Sequence, residues 1–273
     1  MEYRGFIDGT GELSTVNANV ERTINLFPEL VDAGTGKSRV WLRPTPGLVL
    51  FTTIAGGSPV RALFHQDGRC FAVSGTSFVE IASDGTVTVR GSVNSDSRPA
   101  SIHSNGAIGR QLFIVSGMAG YIFALDTNTF TTIGGGFPAA CLMGTFADSY
   151  FLALYNGTPK FGFSSLADGT TWDALDVAQK SQTSDNLLAM VYDHKDLWLM
   201  GTETIEIWVN SGDARNPWTP QPILIEGGIA GSDAWVQADD SLFWIASGKD
   251  GARAVVRAQG FSPQRVSTHA LEA

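Results

Sequence analysis

Apolar residues fall in short runs broken by Gly, Asp, Asn and Ser, a pattern that predicts many short strands joined by tight turns. Five runs share one plan: Cys70–Gly75 (CFAVSG), Leu112–Gly117 (LFIVSG), Tyr150–Leu154 (YFLAL), Leu197–Gly201 (LWLMG) and Leu242–Gly248 (LFWIASG). Aligned on Phe71, Phe113, Phe151, Trp198 and Trp244, they lie 42, 38, 47 and 46 residues apart. A four-stranded propeller blade has this repeat length. Partner strands follow the anchors. Phe78–Ile81 and Val87–Val89 flank Ser83-Asp84-Gly85-Thr86, a hairpin with an Asp-Gly turn, and Tyr121–Leu125 with Phe130–Ile133 repeats the device. Thr204–Val209 alternates polar and apolar residues, which predicts one buried and one wet face. The expected fold is all-β: a five-bladed β-propeller over residues 59–273, preceded by an extended N-terminal arm over 1–58. Pro28, Pro44 and Pro46 confine pairing in the arm to edges. Val40-Trp41-Leu42 and Leu48–Phe51 are its candidates for a strand that completes a terminal blade. The one expected helix is a short turn near Leu175–Gln179.

Composition narrows the function. With 273 residues and 43% hydrophobic content the chain buries a sizeable core. Its formal net charge of -9 opposes tight binding to phosphates, so no tight DNA binding is expected. No leader-like opening and no apolar run long enough for a span occur, which predicts a protein made in a host cytoplasm without membrane insertion. Cys70 and Cys141 lack a partner at metal-ligand spacing and read as buried reduced thiols.

Candidate chemistry is sparse. Gly34-Thr35-Gly36-Lys37-Ser38 resembles a phosphate loop, but Val31 stands where a glycine is needed and the prolines that follow prevent the helix. Thr171-Trp172-Asp173 reads as a buried Trp beside a turn-capping Asp. His65, His103, His194 and His269 are far apart; His65 and His103, just ahead of the first two anchors, are expected at equivalent blade positions with a structural role. A glycoside hydrolase needs two carboxylates about 5 to 10 Å apart. Asp193, Asp196, Glu203, Glu206 and Glu226 supply carboxylates, Glu203 and Glu206 being the best placed, and Trp172, Trp208, Trp218 and Trp235 could stack on sugars. These same residues suit turns and inter-blade packing. The expectation is therefore no catalytic, cofactor-binding or metal-binding residue, no cofactor and no enzyme activity. A carbohydrate-binding or glycoside-hydrolase-type β-propeller is the alternative.

Phe161–Asp176 (FGFSSLADGTTWDALD) and Leu197–Gly212 (LWLMGTETIEIWVNSG) resemble the middle of the packaged-DNA stabilisation proteins of short-tailed bacteriophages. Asn25–Glu29 (NLFPE), Gly36-Lys37-Ser38 and Leu42–Leu48 (LRPTPGL) are similar to that family's opening. Together they cover most of the chain from about 17 to 269. The resemblance implies a virion protein at the head-tail interface: a tail hub, or stopper, that closes the portal channel and stabilises packaged DNA. Its implied partners are the portal-adaptor ring and other tail proteins, a needle or plug and a tailspike or fibre. It also implies a ring-shaped homo-oligomer of six or twelve copies. Longer members continue past the equivalent of Val266-Ser267-Thr268-His269, so no needle or spike contact is carried over residue by residue.

Overall fold

The computed structural model describes residues 25–30, 40–248 and 253–267. The chain divides into two compact units, residues 1–51 with 267–273, and Thr52–Val266. In the first, β1 (Leu26–Leu30) and β2 (Val40–Pro44) form an antiparallel pair with Leu26 opposite Pro44 and Leu30 opposite Val40. Val40-Trp41-Leu42 thus pairs within its own two-stranded sheet rather than joining a blade. Leu48–Phe51 lies in no strand. Gly34–Ser38 falls outside the described residues.

The second unit is five antiparallel sheets in chain order. Blade 1 holds β3 (Val60–Gln66), β4 (Arg69–Ser74), β5 (Ser77–Ile81) and β6 (Val87–Ser92). Blade 2 holds β7 (Ser101–Ser104), β8 (Gln111–Ser116), β9 (Ala119–Ala124) and β10 (Thr129–Thr132). Blade 3 holds β11 (Cys141–Ala147), β12 (Tyr150–Tyr155), β13 (Lys160–Ser165) and β14 (Asp168–Gln179). Blade 4 holds β15 (Leu187–Asp193), β16 (Asp196–Gly201), β17 (Thr204–Asn210) and β18 (Trp218–Glu226). In blade 5, β19 (Gly228–Ile229) and β20 (Trp235–Ala238) both pair with β21 (Ser241–Ser247), followed by β22 (Arg253–Gln259) and β23 (Ser262–Arg265). The five anchors are the central strands β4, β8, β12, β16 and β21. First strands line the axis, with β3 beside β7, β7 beside β11 and β11 beside β15. The molecule is a β-propeller.

The only helix among the described residues is α1 (Gly106–Gly109). The expected turn near Leu175–Gln179 is instead the end of β14, where Val177, Ala178 and Gln179 pair with Gly162, Phe161 and Lys160. Ladder bonds to β13 override the weak local preference for helix. No helix among the described residues is long and apolar enough to cross a membrane.

Side chains alternate across each strand, and successive blades bury the two sets against each other. Phe71, Phe78 and Phe123 join blades 1 and 2, with ring centroids 5.4 to 5.7 Å apart. Phe113, Phe151 and Trp172 join blades 2 and 3. Phe161 and Trp208 cross between blades 3 and 4, their centroids 5.8 Å apart, and Trp198 and Trp244 join blades 4 and 5. Blade 4 shows the alternation plainly: Leu197 and Leu199 pack on blade 3, Trp198 and Met200 on blade 5. The wet face expected for Thr204–Val209 is absent, because Ile205 and Ile207 face blade 5 while Glu206 and Trp208 are buried on the other side. Among the described residues no fifth cluster joins blade 5 to blade 1. The face of blade 5 turned from blade 4 carries Val236, Phe243, Ile245 and Val255, of which Val236 is 55% and Ile245 38% exposed. Close approach also selects residue size: a Cβ on Gly144 would sit 2.2 Å from Cε1 of the buried Phe113 ring.

Trp198→Ala and Trp244→Ala should each lose about 3–5 kcal/mol of unfolding free energy. Gly144→Ala should lose about 1–3 kcal/mol by overpacking. Denaturant unfolding measures all three, and wild-type midpoints would remove these residues from the core.

Candidate functional site

The carboxylates singled out by the sequence are the first test of chemistry. Glu206 on β17 is fully buried and saturated: its oxygens accept the backbone N–H groups of Ser181, Gln182 and Thr183, each at 3.0 Å, and the Trp208 Nε1–H at 2.9 Å. Glu203 is exposed at the turn before β17. The two therefore do not face a common solvent-filled cleft. Beside Glu206, the buried Lys180 ammonium donates to Asp185 and to the carbonyl and hydroxyl of Thr204. Asp185 also accepts the backbone N–H groups of Glu203 and Thr204 and the hydroxyls of Thr183 and Thr204. Burial by itself would raise the Asp185 carboxyl. The bonds from Lys180, the Glu203 N–H, Thr204 and Thr183 outweigh it and hold the group well below the usual carboxylate range. With Lys180 and Asp185 paired and Glu206 held by neutral hydrogen-bond donors, this network pins the 180–186 connection onto blade 4. Sequence reasoning did not single out Lys180 or Asp185, for which the only signal was a Lys and an Asp in one polar inter-blade loop.

The remaining carboxylates are also committed. Asp196 accepts the Gln221 amide at 2.7 Å, and Asp193 accepts the Gln237 amide at 3.1 Å, a tie between blades 4 and 5. His194 lies between Asp193 and Asp240, with Nδ1 at 2.9 Å and Nε2 at 3.2 Å; the hydrogen bond and charge of Asp193, then the Asp240 charge, raise its pKa. His269 lies outside the described residues. His65 pairs with Cys70 and His103 with the anchor Phe113, so the two histidines are one register apart and not at equivalent positions. A one-residue offset turns their side chains to opposite faces. Cys141 is buried, which pushes its thiol above the ordinary range, and Cys70 is half-buried. Among the described residues no group of His, Cys, Asp and Glu has the arrangement of a metal site.

Of the four tryptophans considered for sugar stacking, Trp172, Trp208 and Trp218 are buried. Trp172 donates Nε1–H to the Gly169 carbonyl, and Asp173 caps the Leu175 N–H at 2.9 Å. Trp235 is different. It borders a cavity of about 400 Å³ at the propeller axis, with Leu63, Arg98, His103, Met143 and Asp233 around it. Enclosure lowers His103 to about 4, so it is neutral near pH 7. The space suits a side chain or small molecule. Its one carboxylate, Asp233, accepts the Ser232 hydroxyl at 3.0 Å, so the cavity presents no carboxylate pair.

Comparison with known proteins gives one family. The family model described as "Bacteriophage P22 Gp10, beta-propeller" matches residues 14–273. No curated protein matches the chain. Among solved structures, the extracellular domain of a hybrid two component system from B. thetaiotaomicron aligns at 8% identity with a TM-score of 0.56, over 89% of this chain and 35% of that one. Virginiamycin B lyase from Staphylococcus aureus aligns at 12% identity and TM-score 0.51, over 93% and 81% of the two chains. The computationally designed Ika8 protein aligns at 12% and 0.51, over 90% and 73%. At such identities these structures bear on the fold alone.

Glu206→Gln places an amide NH₂ against N–H donors and should lose about 3 kcal/mol of stability, while Glu203→Gln should change little. Neither wild type nor variant should hydrolyse a host polysaccharide, and turnover abolished by either change would restore an enzymatic reading. Because the folded pKa of Asp185 lies below its unfolded value of about 4, its contribution is present above about pH 4 and fades as pH falls toward the folded value. Asp185→Asn should flatten that acid limb of a stability-pH profile.

Proposed function

Since the chain belongs to the phage-stabilisation family of the bacteriophage P22 Gp10 β-propeller, and is thereby a phage structural protein of the virion, we propose that it acts as a head-tail connector, a tail hub that closes the portal channel and stabilises packaged DNA. The family match over residues 14–273 carries this reading. The tied carboxylates and buried tryptophans support a structural rather than enzymatic role. Partners in the proposal are the portal-adaptor ring, a needle or plug and a tailspike or fibre, met by a ring of six or twelve copies at the tail end of the head.

Physical constraints give the role a form. The axial cavity of a single propeller is on the scale of a small-molecule pocket, so a DNA duplex does not thread a subunit. Any DNA passage runs through the assembly. A formal charge of -9 per chain repels the phosphate backbone within a Debye length, about 10 Å at moderate salt. Retention is then mechanical, by docking under the portal and supporting a plug, and not by basic side chains gripping DNA.

Phage assembled without this protein should package genomes and then lose them, read as empty heads by electron microscopy. The purified protein should show little salt-sensitive duplex binding in a filter assay. Stable full heads in its absence, or tight salt-dependent binding, would each reject the mechanism.

A further inference from the structure

Two Asn-Gly pairs occur in the chain, Asn105-Gly106 and Asn156-Gly157. Such a pair is chemically labile, because the backbone nitrogen of a residue without a side chain reaches the preceding carboxamide carbon unhindered. The reaction needs a mobile Asn carboxamide, a glycine N–H that is not hydrogen-bonded, and water. The fold gives the two pairs opposite surroundings.

At Asn105, just before α1, the reacting groups are held. Asn105 is 6% exposed; its Nδ2 donates to Gln111 Oε1 at 3.2 Å and to the Ala167 carbonyl at 3.1 Å, and its Oδ1 accepts the Gln111 N–H at 2.7 Å. The Gly106 N–H donates to the Ser104 hydroxyl at 3.0 Å. At Asn156, in the turn between β12 and β13, both residues of the pair are exposed and Gly157 adopts φ 70°. Among the described residues neither the Asn156 carboxamide nor the Gly157 N–H has a hydrogen-bond partner. The turn around them is anchored. The Asn156 N–H donates to the Ala140 carbonyl at 2.9 Å, and the Thr158 and Pro159 carbonyls accept the Leu187 and Lys180 N–H groups at 3.0 Å each.

We infer that Asn156 is a site of spontaneous deamidation and that the fold holds Asn105 inert. The Gly157 nitrogen, on losing its proton to hydroxide, attacks Asn156 Cγ. The N–Cγ bond forms, the Cγ–Nδ2 bond breaks, and ammonia leaves with a proton from water, which restores the hydroxide. Water then opens either carbonyl of the resulting succinimide, giving aspartate or isoaspartate. Each event replaces a neutral amide by a carboxylate and so adds one negative charge to the formal -9. It falls on a turn bonded to the connections on both sides of blade 3, where the isoaspartyl product also lengthens the main chain by one carbon. The modified fraction grows with the age of the protein. The inference is independent of the hub reading.

The test incubates purified full-length protein at mildly alkaline pH in heavy-oxygen water, followed by digestion at acid pH and mass spectrometry. The peptide holding Asn156 should gain the mass of an amide-to-acid change carrying heavy oxygen, as a mixture of aspartate and isoaspartate. It should do so at least about tenfold faster than the peptide holding Asn105, which reacts only through local opening. In denaturant, where no fold protects either pair, both peptides should change. On ion exchange the acidic form that accumulates in the wild type should be missing from Asn156→Ser. Asn156 left intact in the folded protein under conditions that modify the denatured chain would overturn the inference. So would an Asn105 that changes as fast as Asn156 before unfolding, or an acidic form that persists in Asn156→Ser.

Discussion

A blade is a thin sheet with two faces, and in a fold made of blades each face must be covered by a neighbour. Most of this molecule follows from that constraint. It explains why anchor strands carry large apolar residues at successive positions instead of alternating with polar ones: Leu197, Trp198, Leu199 and Met200 are all buried because odd and even positions serve different neighbours. It explains the glycine facing Phe113, since a sheet pressed against a large ring has no room for a Cβ.

The same constraint decides what polar residues on the inner strands can do. A carboxylate on a strand covered from both sides must be fully hydrogen-bonded or it destabilises the fold. Glu206 meets that requirement with three backbone N–H groups and an indole, and so cannot serve as an accessible acid or base. Lys180 and Asp185 extend the arrangement into the connection between blades 3 and 4. The propeller thereby converts these charged residues into ties, which suits a phage structural protein.

Much of the fold was legible in the sequence. The aromatic anchors and their spacing determined the number of sheets and the central strand of each, because burial of large side chains recurs once per blade. The Asp84-Gly85 hairpin was legible for a local reason: Asp84 accepts the Thr86 N–H and Gly85 adopts φ 86°, both properties of the residues themselves. Family membership was readable in the stretches Phe161–Asp176 and Leu197–Gly212.

Tertiary structure decided what depends on partners distant in the chain. Leu175–Gln179 is strand because β13 offers it a ladder, a fact no local preference contains. Thr204–Val209 alternates as a half-wet strand should, yet both faces are buried, because the loop at 181–183 lies over the polar side. The one-residue offset between His65 and His103 comes from strand register, which is set by pairing. Local chemistry and periodicity are written along the chain. Which face meets a neighbour, and which is left without one, exists only once the blades are packed.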